Sequence, residues 1–133
     1  LATSLIQVKD IMAKGKDIPL ISANESMRNA VKIMAEKKLG IVCVKEKNGK
    51  INLITDGDVR RNSNNLFKKK VIKVCNKKPI WISNTATALS AIEKMNFLKI
   101  TSLLVTNHKS IKKEKKSIVG ILHLHHCLSK GIK

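Results

Sequence analysis

The feature that most constrains how this 133-residue chain can fold is that it repeats itself. The segment from Ser22 to Val44 places apolar residues at Ala30, Val31, Met34, Leu39, Val42 and Val44. The segment from Ser83 to Val105 matches them with Ala91, Ile92, Met95, Ile100, Leu103 and Val105, at the constant offset 91 − 30 = 61. A repeat of this length is one supersecondary unit used twice, so the architecture follows from reading one copy.

Each copy changes period in the same order. Met27, Ala30, Val31 and Met34 fall at i, i+3, i+4 and i+7, as do Ala88, Ala91, Ile92 and Met95, which predicts an amphipathic helix with that stripe buried. Short β-rich runs follow at Ile41–Val44 and Leu103–Val105, then a charged turn, then second runs at Ile51–Thr55 and Ile118–Leu122. The first turn, 45–50, holds Asn48-Gly49, a hairpin signal. The second, 108–117, is longer and lysine-laden, and aligning Ile118 with Ile51 raises the offset to 118 − 51 = 67. Extended stretches led by Pro19 and Pro79 precede the helices, and a helix start follows each last strand. The unit therefore reads β-α-β-β-α, and the fold class is α/β of the α+β kind. The boundaries are 8–64 and 65–133, with Leu66, Phe67, Val71, Ile72 and Val74 expected to anchor the connector to the core.

Charge raises one class of partner and its type lowers it. Lys and Arg number 27 against 9 Asp and Glu, for a net +18, which suits phosphates. Only Arg28, Arg60 and Arg61 are arginine, however, whereas planar phosphate and base-edge recognition favours the guanidinium fork. Phe67, Phe97 and Trp81 make no stacking platform for single strands, so no nucleic-acid partner is expected. No apolar run is long enough to span a bilayer, and Leu1-Ala2-Thr3-Ser4-Leu5-Ile6 lacks a basic leader and a cleavage pattern, so no membrane partner is expected either. The cysteines Cys43, Cys75 and Cys127 are odd in number and without C-x-x-C spacing, which fits a reducing, cytoplasmic setting; Cys43 reads as a small buried hydrophobe. A first residue other than methionine is what a segment of a longer protein would have.

This tandem pattern resembles the cystathionine-β-synthase (CBS) domain pair, a regulatory module built with pseudo-two-fold symmetry. Val8-Lys9-Asp10-Ile11-Met12, Asp17-Ile18-Pro19, Leu39-Gly40, Thr55-Asp56-Gly57-Asp58-Val59-Arg60-Arg61, Ile100-Thr101-Ser102 and the tail Gly120-Ile121-Leu122-His123-Leu124-His125 are similar to the C-terminal regulatory half of bacterial D-arabinose 5-phosphate isomerases. The Thr-Asp-Gly-Asp-x-Arg-Arg run alone also resembles pairs attached to sugar-phosphate nucleotidyltransferases. The isomerase resemblance implies a linked sugar-isomerase domain outside these residues, which interconverts ribulose 5-phosphate and arabinose 5-phosphate on the way to the Kdo sugar of lipopolysaccharide. It implies no catalytic residue here, and G-x-S-x-G, H-E-x-x-H, P-loop and G-x-G-x-x-G patterns are all absent. It further implies a homodimer formed through the pair and a small regulatory ligand, AMP or ATP, or the cytidine-linked sugar CMP-Kdo, with no required cofactor.

The residues suggest where such a ligand would sit. Thr55 to Asp58 lies where a strand gives way to a helix, whose free N–H groups and positive end favour a phosphate. The resemblance implies Thr55 as phosphate donor and Asp58 as acceptor from ribose hydroxyls, with Arg60 and Arg61 neutralising charge if they reach back. The same Thr-x-x-Asp spacing is also a capping box, which needs no ligand. In the second copy the offset of 67 puts Leu122 at the place of Thr55 and His125 at that of Asp58. Thr101 and Ser102 either offer hydroxyls to a cleft between the repeats or merely cap a strand. His123 and His125 are expected to share a face and line that cleft, not to hold a metal, since a closed site needs four ligands. A purely structural dimerisation module is the alternative to a ligand sensor.

Overall fold

The computed structural model describes residues 5–75 and 78–132. The reading of Leu1–Ser4 as lacking a leader, and positions 76, 77 and 133 of the repeats, lie outside them. The described residues divide into two compact units, one within 19–79 and one combining 5–18 with 80–132.

The first unit runs β1 (Leu20–Ser22), α2 (Met27–Lys37), β2 (Ile41–Lys45), β3 (Ile51–Thr55), α3 (Asp56–Arg61) and α4 (Val71–Val74), and the second runs α1 (Val8–Ile11), β4 (Trp81–Ser83), α5 (Ala88–Leu98), β5 (Ser102–Thr106), β6 (Gly120–His123) and α6 (Leu124–Leu128). Each holds a three-stranded sheet, in the orders β1-β2-β3 and β4-β5-β6. In both the first pair is parallel, because a helix carries the chain across, and the second is antiparallel, because a hairpin joins it. These two small mixed sheets, each with its crossover helix, are the β-α-β-β-α repeats expected from the sequence.

The helices start and stop for matching reasons. Ser26 and Thr87 cap α2 and α5 by accepting from the amides of Asn29 and Ser90, at 3.4 and 3.1 Å. Lys38 and Lys99, 61 apart like the rest of the repeat, end them in the left-handed region at φ 60° and 57°. Met27 and Ala30 in one unit, and Ala88, Ala91 and Met95 in the other, are all fully buried as patterned, whereas Val31 of the first stripe is only half-buried. Cys43 is fully buried in β2, and desolvation pushes its thiol up to about 12.

Two sequence expectations need correction. The connector is anchored by Val71 and Val74, with the half-buried Leu66 packed against the same core, whereas Phe67 and Ile72 are exposed and Phe67 instead sits 4.7 Å beneath the Arg28 guanidinium. The second hairpin is also one residue longer than aligned. Ile41 pairs with Thr55 in the first unit, and its counterpart Ser102 pairs with His123, so the late offset is 123 − 55 = 68. Leu122 thus matches the equally buried Ile54, not Thr55.

The compact units also group the chain differently from the repeat boundaries 8–64 and 65–133. Each single-turn helix closes its unit by gripping the entry to the long helix. The α4 segment does so through Val71 N to Glu25 O and Met27 N to Lys69 O, at 3.1 and 3.0 Å. The α1 segment does so through Val8 N to Ala86 O and Ala88 N to Ile6 O, both at 2.8 Å.

Candidate functional site

Of the residues singled out from sequence, Thr55, Asp58, Arg60 and Arg61 lie in the first unit and Thr101, Ser102, His123 and His125 in the second. The turn from β3 into α3 carries the first group and that from β6 into α6 carries His123 and His125, while pairing of β5 with β6 sets Ser102 opposite His123 and Thr101 beside Leu124.

In the first unit the turn is a complete capping box. The Thr55 hydroxyl accepts from the Asp58 amide at 3.3 Å and donates to Asp58 Oδ2 at 3.1 Å. The Thr55 amide donates to the same oxygen at 2.9 Å. Asp58 is fully buried, and its other oxygen, Oδ1, takes a hydrogen bond from Arg61 Nη2 at 2.6 Å. The carboxylate is therefore charge-compensated and hydrogen-bonded on both oxygens, as a buried charge must be. Arg61 itself is 56% exposed, so its end of the pair is free to leave without being stranded. Arg60 is exposed.

Gly40, in the bend between α2 and β2, shapes this turn from across the sheet. It sits at φ +71°, its carbonyl accepts from the Asp56 amide at 3.1 Å, and a Cβ there would lie 3.0 Å from Asp56 Oδ2. Beside it a surface cavity of about 430 Å³ opens between α2 and α3, lined by Val31, Met34, Ala35 and Val59 together with Lys38 and Asp56.

The second unit builds the same turn from different atoms. The His125 amide donates to His123 Nδ1 at 3.1 Å, and the His123 amide donates to His126 Nδ1 at 2.9 Å. His123 is thus the counterpart of Thr55 and His126, at 126 − 58 = 68, that of Asp58. The expected pairing of His125 with Asp58 gives way to His126, a residue that the sequence reading passed over. What would have found it is spacing from the helix start, since cap and third helical residue are three apart in both units. The strand stops at His123, so a shared strand face does not unite His123 and His125; the cap does, with ring centroids 4.1 Å apart. Burial first, then the neighbouring His125 and His126, pushes His123 down to about 4, and burial followed by His125 lowers His126.

Thr101 is exposed, and its carbonyl accepts from the Leu124 amide at 2.8 Å. Ser102 opens β5, and its hydroxyl is buried without a partner among the described residues. Among those residues no group of three or more His, Cys, Asp or Glu is placed to hold a metal ion, and no helix is long and apolar enough to cross a membrane.

Comparison with known proteins adds identity to this geometry. The CBS domain family model matches residues 8–65. The chain is 32% identical over 134 residues to an uncharacterized protein from Rickettsia prowazekii, covering 99% of this chain and 40% of that one. It is likewise 32% identical over 124 residues to the arabinose 5-phosphate isomerase KdsD of Francisella tularensis, covering 91% of this chain and 36% of the isomerase. The chain therefore spans well under half the length of these relatives. Among solved structures it is similar to CBSX2, crystallised in complex with AMP, with a TM-score of 0.75 at 19% identity over 95% of this chain and 96% of that one. The family match and the shared fold lead to one conclusion: residues 8–65 are a CBS domain, and the chain has the fold of a tandem pair of such domains.

Proposed function

We propose that this pair is the ligand-sensing, regulatory part of a longer arabinose 5-phosphate isomerase, and that its ligand is an adenine nucleotide held at the Thr55–Asp58 turn. The observation that carries the reading is the fully buried Asp58 whose Oδ1 is held, among the described residues, only by an arginine that is itself mostly exposed. A ribose hydroxyl can take Arg61's place on that oxygen, so that the carboxylate keeps a donor, and the ligand's other contacts offset the lost charge compensation. The released guanidinium then meets the phosphate, for which its planar fork is suited. Support for a nucleotide comes from fold relatives crystallised with AMP, and support for an isomerase from the KdsD relatives.

A ligand that binds one arrangement of the pair better than another shifts the population and so modulates a linked domain. Calorimetric titration of the chain with AMP, ATP, CMP and CMP-Kdo tests this. Saturable binding of AMP or ATP that is abolished in Asp58→Ala and weakened in Arg61→Ala supports the reading, and binding of CMP or CMP-Kdo alone overturns the adenine assignment. Absence of binding by all four overturns it and leaves the box as a structural cap.

The groove between α2 and α3 supports a second element, a homodimer. Its floor is apolar, and it carries one exposed cation, Lys38, and one exposed anion, Asp56. A two-fold copy sets each against the other's opposite, as an isologous contact requires. Sedimentation should give a dimer that Ala35→Glu converts to a monomer, and a monomeric parent chain would exclude it.

A further inference from the structure

From the cap of α6 we infer that the second unit carries a pH-sensitive latch, in which His123 and His126 hold the strand-to-helix turn only while their Nδ1 atoms are unprotonated. Both imidazole nitrogens face backbone N–H groups, which can only donate. Each ring must therefore be neutral, with its proton on Nε2. A proton added to either Nδ1 sets donor against donor, strands the amide it served and places a cation at the positive end of a helix.

The surroundings give a proton no compensating partner. The charges acting on His123 are those of His125 and His126, and on His126 that of His125. β5 brings Ser102 opposite His123 and no titratable side chain. α1, packed on β6, brings Lys9 and Asp10, and Asp10 is engaged by the Gln7 amide at 2.9 Å. α5, packed on α6, brings Glu93 and Lys94, and Lys94 donates to the Trp81 carbonyl at 2.8 Å. Among the described residues no carboxylate bonds to any of the three imidazoles.

The direction of the effect follows from linkage. An unfolded imidazole titrates near 6.5, and burial with the neighbouring imidazoles pushes the folded His123 down to about 4. Between those values the unfolded chain binds a proton that the folded chain refuses. The latch is therefore at full strength above about pH 6.5, weakens as the pH falls, and has lost its whole contribution below about 4. In the first unit the same turn is closed by Thr55 and Asp58, with no imidazole in the box.

Nitrogen-15 NMR of the imidazoles, with amide exchange protection followed between pH 6.5 and 4, tests this on the chain as it stands. Both rings should show the Nε2–H tautomer at neutral pH, protection of the His125 amide should fall by about tenfold per pH unit, and that of the His123 amide should fall in the same direction. The double variant His123→Thr, His126→Asp, which copies the first unit's box, should hold its protection across that window. Should that variant fail to fold, His126→Asp alone should free the His123 amide from pH while the His125 amide stays sensitive. An Nδ1–H tautomer in either ring, protection that does not change with pH, or the same fall in the variants overturns the latch.

Discussion

Thr55–Asp58 and His123–His126 close the same turn in the two units, one with a hydroxyl and a carboxylate, the other with two imidazoles. The carboxylate brings a charge into the interior and needs Arg61 to compensate it; the imidazoles bring none and need no partner. One fold thus closes the same turn with a hydroxyl and a charge-compensated carboxylate in one unit and with imidazoles in the other. The difference shows that repeating the scaffold does not repeat its chemistry: the cap geometry is set by the backbone, and the side chains that satisfy it are free to diverge.

Substitutions at matched positions sharpen this contrast, and the largest effect is expected away from the caps. Gly120 corresponds to Asn52, yet a Cβ at Gly120 would meet Ala13 O at 2.8 Å, because 12–13 lies along β6 and exchanges Ala13 N to Ile121 O and Ile121 N to Ala13 O, both at 2.9 Å. Gly120→Ala should cost about 2–3 kcal/mol by chemical denaturation, and Asn52→Ala less than about 1 kcal/mol. At the caps, Asp58→Ala should cost about 2 kcal/mol, since it removes a buried charged acceptor as well as a cap, and His126→Ala about 1 kcal/mol at neutral pH. Equal costs would mean that the Arg61 contact adds nothing. The smallest change is a gain: Lys38→Gly and Lys99→Gly relieve matched left-handed residues, and each should stabilise by about 0.5 kcal/mol, with unequal values breaking the equivalence of the two helix ends.

Much of this was readable from residues alone. The stripes of Met27 to Met34 and Ala88 to Met95, the strands after them and the helix start at Thr55 follow from period and spacing. The register of the second hairpin did not, because the lysine-rich stretch between β5 and β6 has no Asn-Gly marker to fix its length, and β6 is a continuous buried run with no alternation to fix its register against a one-residue slip. That slip displaced the match of Asp58 from His126 to His125. The packing of α4 within the first unit was also hidden, since Val71 and Val74 are apolar in either assignment and only the backbone bonds to Glu25 and Met27 decide it. Nor does the order of residues reveal that Arg61, rather than Arg60, reaches Asp58; that depends on the short turn of α3 bringing i and i+3 together.

The central claim is that the first unit's turn, and not the second's, receives the nucleotide. Amide chemical-shift mapping of the chain with AMP tests it most directly. The account predicts saturable shifts at Thr55 through Arg61, lost in Asp58→Ala, with the His123–His126 amides moving with pH but not as the first point of AMP contact. Shifts absent from Thr55 through Arg61, or unchanged by Asp58→Ala, would contradict it.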